Sequence, residues 1–379
     1  METSLMRISL IGPVYPYRGG IAHFTTLLAK KLIEDGHDVQ IISFKKQYPS
    51  WLYPGNSDKD TSPGRIKVQA EYLLTPYDPF TWKRTAQSIM KFKPQKVIFP
   101  WWVTIWGPAF RYLIKRLRNS GIQTTFLIHN TKPHEGYFWD PLLAKETLKW
   151  ADQFIVMSEK EKIRLRALIP NANNISIVPH PIYDMFKPTS LTKKEVRQKL
   201  KLPLEKPVLL FFGFIRPYKG LSILIDALKI IIAKGREVHL LIAGEFWEDR
   251  EKYDAQIKAA GLEKFVHIFD YYIPDDEAAA FFEAADLFVA PYISGTQSGA
   301  LKAAMGFGLP IIASEILSDG ILDTIPENAL ITPPNKSDAL AEDIMKGLFL
   351  KRLSPQRIKK IINDSLDRFT KIIIAGGGR

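Results

Sequence analysis

Arg216 and Lys219 stand in a loop that leaves an apolar run and enters a helical pattern, in VLLFFGFIRPYKG at 208–220. The same succession recurs at 286–311 (DLFVAPYISGTQSGALKAAMGFGLPI), where the loop carries Ser294 to Gly299, SGTQSG. A strand that feeds a helix N-terminus gathers unpaired N–H groups and the positive end of the helix dipole at one spot, a natural seat for phosphate. Arg216 and Lys219 add two cations to the first loop. Hydroxyls, an amide and two glycines in the second leave the backbone open to a ligand. Together the two segments predict a pocket for a diphosphate-bearing small molecule. The structural alternatives are a surface position for Lys219, against which the dipole argues, and plain N-capping by Thr296 or Ser298.

These loops need a scaffold of strands alternating with helices, and the chain supplies one. Apolar runs at 6–11, 39–44, 96–100, 123–128 and 153–157 alternate with helical patterns near 20–35, 80–92, 108–120, 141–150 and 159–168. After a proline-rich stretch at 179–207, which brackets a short charged helix at 192–200, the alternation resumes. Strands are predicted at 208–213, 238–243, 265–268, 287–291 and 309–313, with helices at 220–234, 250–260, 275–285, 298–307 and 337–349. The reading is α/β, with two Rossmann-like doubly wound parallel-sheet domains, 1–185 and 186–353, facing across a cleft. A C-terminal helix and tail, 354–379, can pack back on the N-terminal domain.

The chain has 379 residues, no cysteine, and 46% hydrophobic and 24% charged residues, which excludes a disulfide scaffold and thiolate metal sites. No apolar run approaches the roughly 20 residues of a membrane span, so a cytoplasmic location is expected. The net charge of +12 is uneven: residues 1–185 carry 25 Lys+Arg against 15 Asp+Glu. Positions 79–134 hold ten Lys/Arg, four tryptophans (Trp82, Trp101, Trp102, Trp106) and no acid. Such a surface suits an anionic partner, whether the inner face of a membrane, a lipid phosphate or an acidic glycan, whereas scattered lysines without a recognition module do not suit nucleic acid. A solvated helix face at 109–118 is the plainer explanation of the charge. Seven histidines without ligand spacing predict no metal site.

Read in order, GPVYPYRGG at 12–20, the HN at 129–130, ADQFIVMSEKEK at 151–162, IVPHPI at 177–182, GFIRPYKGLSILIDAL at 213–228, AGE at 243–245 and the TQSG segment give the chain a family likeness. It resembles a retaining glycosyltransferase of the two-Rossmann-domain (GT-B) type, close to family 4. The resemblance implies transfer from a nucleotide-diphosphate sugar, used as substrate, to a saccharide or lipid-linked acceptor in surface-glycan assembly, with no other cofactor. It implies that Arg216 and Lys219 stabilise the leaving diphosphate, and that His129 touches the donor sugar. It further assigns Gly19, Gly20, Glu245, Thr296, Gln297, Ser298 and Gly299 to the donor, with Tyr271 and Tyr272 beside the base. Arg18, Tyr17, His134 and Glu135 fall to the acceptor. Two departures stand out. The paired glutamates usual around the last of these helices are Gly295 and Ala303 here, and the arginine usual just after the first loop's glycine is Phe214, which makes Arg216 its stand-in. With both carboxylates gone, a catalytically inactive nucleotide-sugar-binding or scaffold subunit is the alternative. A dinucleotide-dependent oxidoreductase lacks its G-x-G-x-x-G after strand 6–11.

Overall fold

The computed structural model describes residues 5–49, 57–60, 67–131, 138–182, 190–295, 298–317 and 321–375. The chain divides into two units. One takes in the described residues up to His180 together with the end of the last helix from Ser365, and the other runs from Pro181 to Asp364. The break falls five residues before the boundary expected from the proline-rich stretch.

In the first unit the chain alternates β1 (Arg7–Ile11), α1 (Gly20–Glu34), β2 (Asp38–Phe44), β3 (Glu71–Leu74), α2 (Pro79–Phe92), β4 (Lys96–Trp101), α3 (Gly107–Arg118), β5 (Gln123–Ile128), α4 (Asp140–Leu148), β6 (Gln153–Val156), α5 (Glu159–Leu168) and β7 (Ile175–Ile177). All strands pair in parallel in the order β3-β2-β1-β4-β5-β6-β7. The order reverses between β1 and β4, and a crevice opens at the carboxyl ends of the strands on either side of such a reversal.

Helices cover the sheet because their apolar residues recur on one face. In α3, Ala109, Phe110, Leu113, Ile114 and Leu117 are buried while Lys115, Arg116 and Arg118 are exposed. Burying each of the larger side chains stabilises the unit by roughly 1.5–3 kcal/mol. The same core takes up Trp101, Trp102 and Trp106, at 0–7% exposure. Trp106 stacks on Phe44 with ring centres 4.1 Å apart, and the Trp102 indole donates to the Tyr48 hydroxyl at 2.8 Å. The half-buried Trp82 donates to the Thr75 carbonyl at 2.8 Å. These tryptophans therefore correct the expectation of a tryptophan-rich surface. Trp101, Trp102 and Trp106 lie at the end of a strand covered on both faces and in the turn that follows it, and Trp82 lies in α2. Most of the described cations of this stretch, such as Lys83, Arg84 and Lys115, remain outside, whereas Lys96 is buried.

The second unit contains α6 (Lys193–Lys199), β8 (Val208–Phe212), α7 (Leu221–Ala233), β9 (His239–Ala243), α8 (Glu251–Ala259), β10 (Val266–Phe269), α9 (Asp275–Ala284), β11 (Leu287–Ala290), α10 (Gly299–Gly306), β12 (Ile311–Ser314), β13 (Ala329–Thr332) and α11 (Ser337–Gly347). Its parallel sheet runs β10-β9-β8-β11-β12-β13, reversing between β8 and β11. The short α6 holds through a capping box: the Thr192 hydroxyl accepts from the Glu195 N–H while the Glu195 carboxylate accepts from Thr192. Asp286, before β11, accepts from the Val208 N–H and pairs with Lys193 and Arg197, a structural role. A last helix, α12 (Pro355–Ala375), crosses from this unit into the first at 364/365. Within the first unit, Asp367 pairs with Lys31 at 2.7 Å and the buried Lys96 ammonium donates to the Ile373 carbonyl.

Candidate active site

Both loops singled out at the start flank the β8/β11 reversal. Beyond the end of β8 the ladder with β9 continues as Gly213 N→Ala243 O at 2.9 Å, Ile215 N→Glu245 O at 2.9 Å and Trp247 N→Ile215 O at 3.1 Å. The two backbones come so close that a Cβ on Gly244, whose φ is 150°, would lie 2.2 Å from the Gly213 carbonyl oxygen. The chain then makes a single 3₁₀ turn over Pro217–Lys219 and enters α7 through Gly220 at φ 75°. There the second close approach occurs: a Cβ on Gly220 would lie 2.1 Å from the Pro291 oxygen. Ile293 N–H donates to the Tyr218 carbonyl at 2.8 Å. The two loops are thus locked together by backbone.

Lys219 is 8% exposed. Its Nζ lies 3.2 Å from the point a Gly213 Cβ would occupy, and that point is 4.0 Å from the Cβ of Ala300 in the first turn of α10. The Tyr292 ring centre is 5.9 Å from the ammonium. Tyr292 in turn shares a hydrogen bond with the Ser298 hydroxyl at 3.0 Å, and Ser298 caps α10 by accepting from the Leu301 N–H at 3.2 Å. Among the described residues the Lys219 ammonium makes no hydrogen bond or ion pair. Burial, with the Arg216 guanidinium near it, pushes its pKa down to about 7. A desolvated cation at the positive end of a helix is unfavourable by itself, and an anion placed beside it would relieve that cost.

In the first unit, Gly19 caps α1 with φ 98° and nothing within 4 Å of where a Cβ would be, so its backbone is open to approach. Gly20, exposed, is the first helical residue. Arg18 is half-buried, its N–H donating to the Asp58 carbonyl at 3.1 Å. His129 follows β5, is 3% exposed, and packs edge-on against Phe24 at 4.9 Å. Phe24 also meets His180 at 4.8 Å and Phe369 at 5.2 Å. The His129 Nε2 is buried without a hydrogen-bond partner among the described residues. Burial, and then the neighbouring His180, hold its pKa well below the ordinary value, so it acts as a neutral imidazole.

Two family models match the chain: "Glycosyltransferase Family 4" over residues 18–184 and "Glycosyl transferases group 1" over 206–348, which together take in most of its length. The chain belongs to the two-domain glycosyltransferases. It is similar to the phosphatidyl-myo-inositol mannosyltransferase of Mycolicibacterium smegmatis, 23% identical over 89% of this chain and 83% of that one. The enzyme of the same name from Mycobacterium leprae is 33% identical, but the match spans only 38% of this chain and 37% of the relative. Among solved structures, Anabaena HepE in complex with UDP and glucose superposes with a TM-score of 0.67 at 16% identity, over 97% of this chain and 96% of that one. That likeness is one of fold.

The remaining residues expected at the site stand as follows. Tyr17 is fully buried and donates its hydroxyl to the Phe44 carbonyl at 2.8 Å, so it braces the core and does not face an acceptor. Tyr271 donates to Glu277 at 3.1 Å, while Tyr272 packs on Phe214. Glu245 is buried at the end of the extended β8/β9 ladder. Gly299 opens α10 behind its cap Ser298. Thr296, Gln297, His134 and Glu135 lie outside the described residues. Tyr292 and Trp247 escaped the sequence reading, because only the folded loops show what they touch.

A cavity of about 1200 Å³, lined by Gln95, Arg118, Gln123, Asp152 and Asn174 among others, sits at the opposite, amino-terminal edge of the first unit's sheet. Arg118, Lys149 and Ala375, also in its lining, stand at or just beyond the C-termini of three helices, whose negative dipole ends disfavour a diphosphate. The switch-point loops remain the better seat. Removing the cap there has a definite expected effect: Ser298→Ala lowers unfolding free energy by about 1 kcal/mol in a denaturant titration. An unchanged midpoint would show that the cap is dispensable.

Proposed function

We propose that this glycosyltransferase moves a sugar from a nucleotide-diphosphate donor to a saccharide or lipid-linked acceptor, with retention and without a divalent ion. The observation that carries the reading is the buried, anion-seeking Lys219 ammonium against the first turn of α10. As the bond from the sugar carbon to the diphosphate breaks, negative charge grows on the leaving oxygen, where Lys219, Arg216 and the α10 N–H groups stabilise it. The acceptor oxygen bonds to the same carbon on the same face. Its proton passes to the departing diphosphate. Glu245 and backbone N–H groups take the place of the two absent carboxylates at Gly295 and Ala303 in holding the nucleotide. In the first unit, the neutral His129 imidazole offers a hydrogen bond to a sugar hydroxyl, and the open space at Gly19 admits a ligand beside the helix start at Gly20. Arg18, His134 and Glu135 are the candidate acceptor groups.

Acceptor-dependent release of free nucleoside diphosphate from a nucleotide sugar tests the proposal. Binding without release under all acceptors would leave the scaffold reading. Because protein cations supply the positive charge, turnover should survive EDTA, and a loss restored only by added metal would refute metal independence.

A lipid-linked acceptor is supported by the first unit's outer helix layer, α2, α3 and α4, which pack side by side. It exposes Lys83, Arg84, Lys115 and Lys145 together with Phe80 (80% exposed) and Leu142 (65%). Among the described residues no helix is long and apolar enough to cross a membrane. Vesicle flotation should show binding to anionic vesicles that weakens with salt and falls several-fold in a Lys83→Glu/Arg84→Glu variant. Equal binding to zwitterionic vesicles would count against contact with an anionic surface.

A further inference from the structure

Arg216 stands in a setting that the proposed reaction alone does not explain. Past the end of β8, residues 213–215 run beside 243–247 in the continued ladder, so side chains alternate. Ile215 points to one side and is fully buried. Phe214 and Arg216 flank it, both half-buried, on the other. The Trp247 indole lies against both: its ring is 4.2 Å from that of Phe214 at an interplanar angle of 26°, and the Arg216 guanidinium carbon is 5.1 Å from the indole centre. Tyr272 extends the stack, 6.1 Å from Phe214 at 28°. The Trp247 backbone is itself pinned by its bond to the Ile215 carbonyl at 3.1 Å.

We infer that Trp247 is a positioning residue that holds the Arg216 guanidinium toward Lys219 and the tip of α10. This inference rests on the diphosphate reading given above. An arginine side chain has many rotamers, and a flat aromatic face beneath it selects those in which the guanidinium is stacked. The stack also accounts for Phe214 in the place where the family resemblance puts an arginine. With the cation two residues later on the same side, Phe214 becomes the support on which the indole rests, and the indole supports Arg216. Positioning of this kind acts before the ligand arrives, so it shows in affinity for the diphosphate as well as in turnover.

The test is a double-mutant cycle read by calorimetric titration with inorganic pyrophosphate and with UDP, GDP and ADP, which needs no acceptor. Trp247→Leu should weaken the tightest of these about tenfold, while Trp247→Phe, which keeps a flat face, stays within about threefold. In an Arg216→Ala background, Trp247→Leu should have no further effect, since nothing is left to position. A Trp247→Leu effect of equal size with and without Arg216, or a Phe variant as weak as the Leu variant, would overturn the inference. The parent reading fails separately: there Arg216→Ala would leave every affinity unchanged. Should Trp247→Leu fold poorly, Trp247→Met, which also removes the flat face, and its cycle with Arg216→Ala carry the same comparison.

Discussion

Lys219→Met should yield a protein that melts at a higher temperature yet transfers sugar about 10²–10³-fold more slowly. The two effects share one cause. Folding buries the ammonium and brings it near Arg216, which holds its pKa near 7 against an ordinary value of 10.5. The folded state therefore carries a penalty for the charged form on the order of a few kcal/mol, fully present below pH 7. As pH rises from about 7 toward 10.5, the folded protein sheds this proton first and the penalty fades. Wild-type stability should climb over that interval, and methionine, similar in shape and uncharged, should be more stable at neutral pH and lack that part of the slope. Thermal unfolding between pH 6 and 10 checks the first half, and donor turnover the second. A variant that is less stable at pH 7, or one that keeps full activity, would show that the ammonium is structural.

Gly220→Ala should be nearly as damaging by a different route. The added methyl would meet the Pro291 oxygen at 2.1 Å, at a backbone φ of 75°. Overpacking and left-handed strain together should lower unfolding free energy by about 3 kcal/mol. Relief of the clash must separate the 217–219 turn from the loop before α10, which moves Lys219 away from the helix tip. Diphosphate affinity should then fall even where the variant remains folded. Gly261→Ala provides the control, since its φ of 67° is similar but nothing lies within 4 Å. It should lose only about 1–2 kcal/mol and keep its affinity. Equal losses in the two variants would mean that the contact with Pro291 positions nothing.

Much of this arrangement could be read from the chain, and the reasons are physical. Strands such as Val208–Phe212 and Leu287–Ala290 are buried on both faces of a parallel sheet, so they appear as continuous apolar runs between helical patterns. The missed strands are short and at or near an edge: Glu71–Leu74, Ile175–Ile177 and Ala329–Thr332 have exposed or half-buried residues and little apolar signal. The tryptophans misled because residue counting along 79–134 ignores which side of the sheet each one faces. In the candidate site, the loop grammar pointed to Arg216, Lys219 and Ser298, which the fold brings to the two loops at the β8/β11 reversal. It could not show that Lys219 is buried against Tyr292, more than 70 positions away, or that Trp247 lies between Phe214 and Arg216. Those contacts arise from strand order, which a linear pattern does not contain. Tyr17 shows the reverse case: a tyrosine in a glycine loop looked available, yet its ring closes the core.

The most direct measurement is the number of protons taken up when a nucleoside diphosphate binds, obtained by calorimetry at pH 8.5 in two buffers of different ionisation heat. With a site whose ammonium titrates near 7 when empty, binding should draw close to one proton, and affinity should fall by up to tenfold per pH unit above neutrality. Lys219→Met should abolish that uptake. The same proton count in wild type and variant, or no nucleoside diphosphate bound at any pH, would contradict the account.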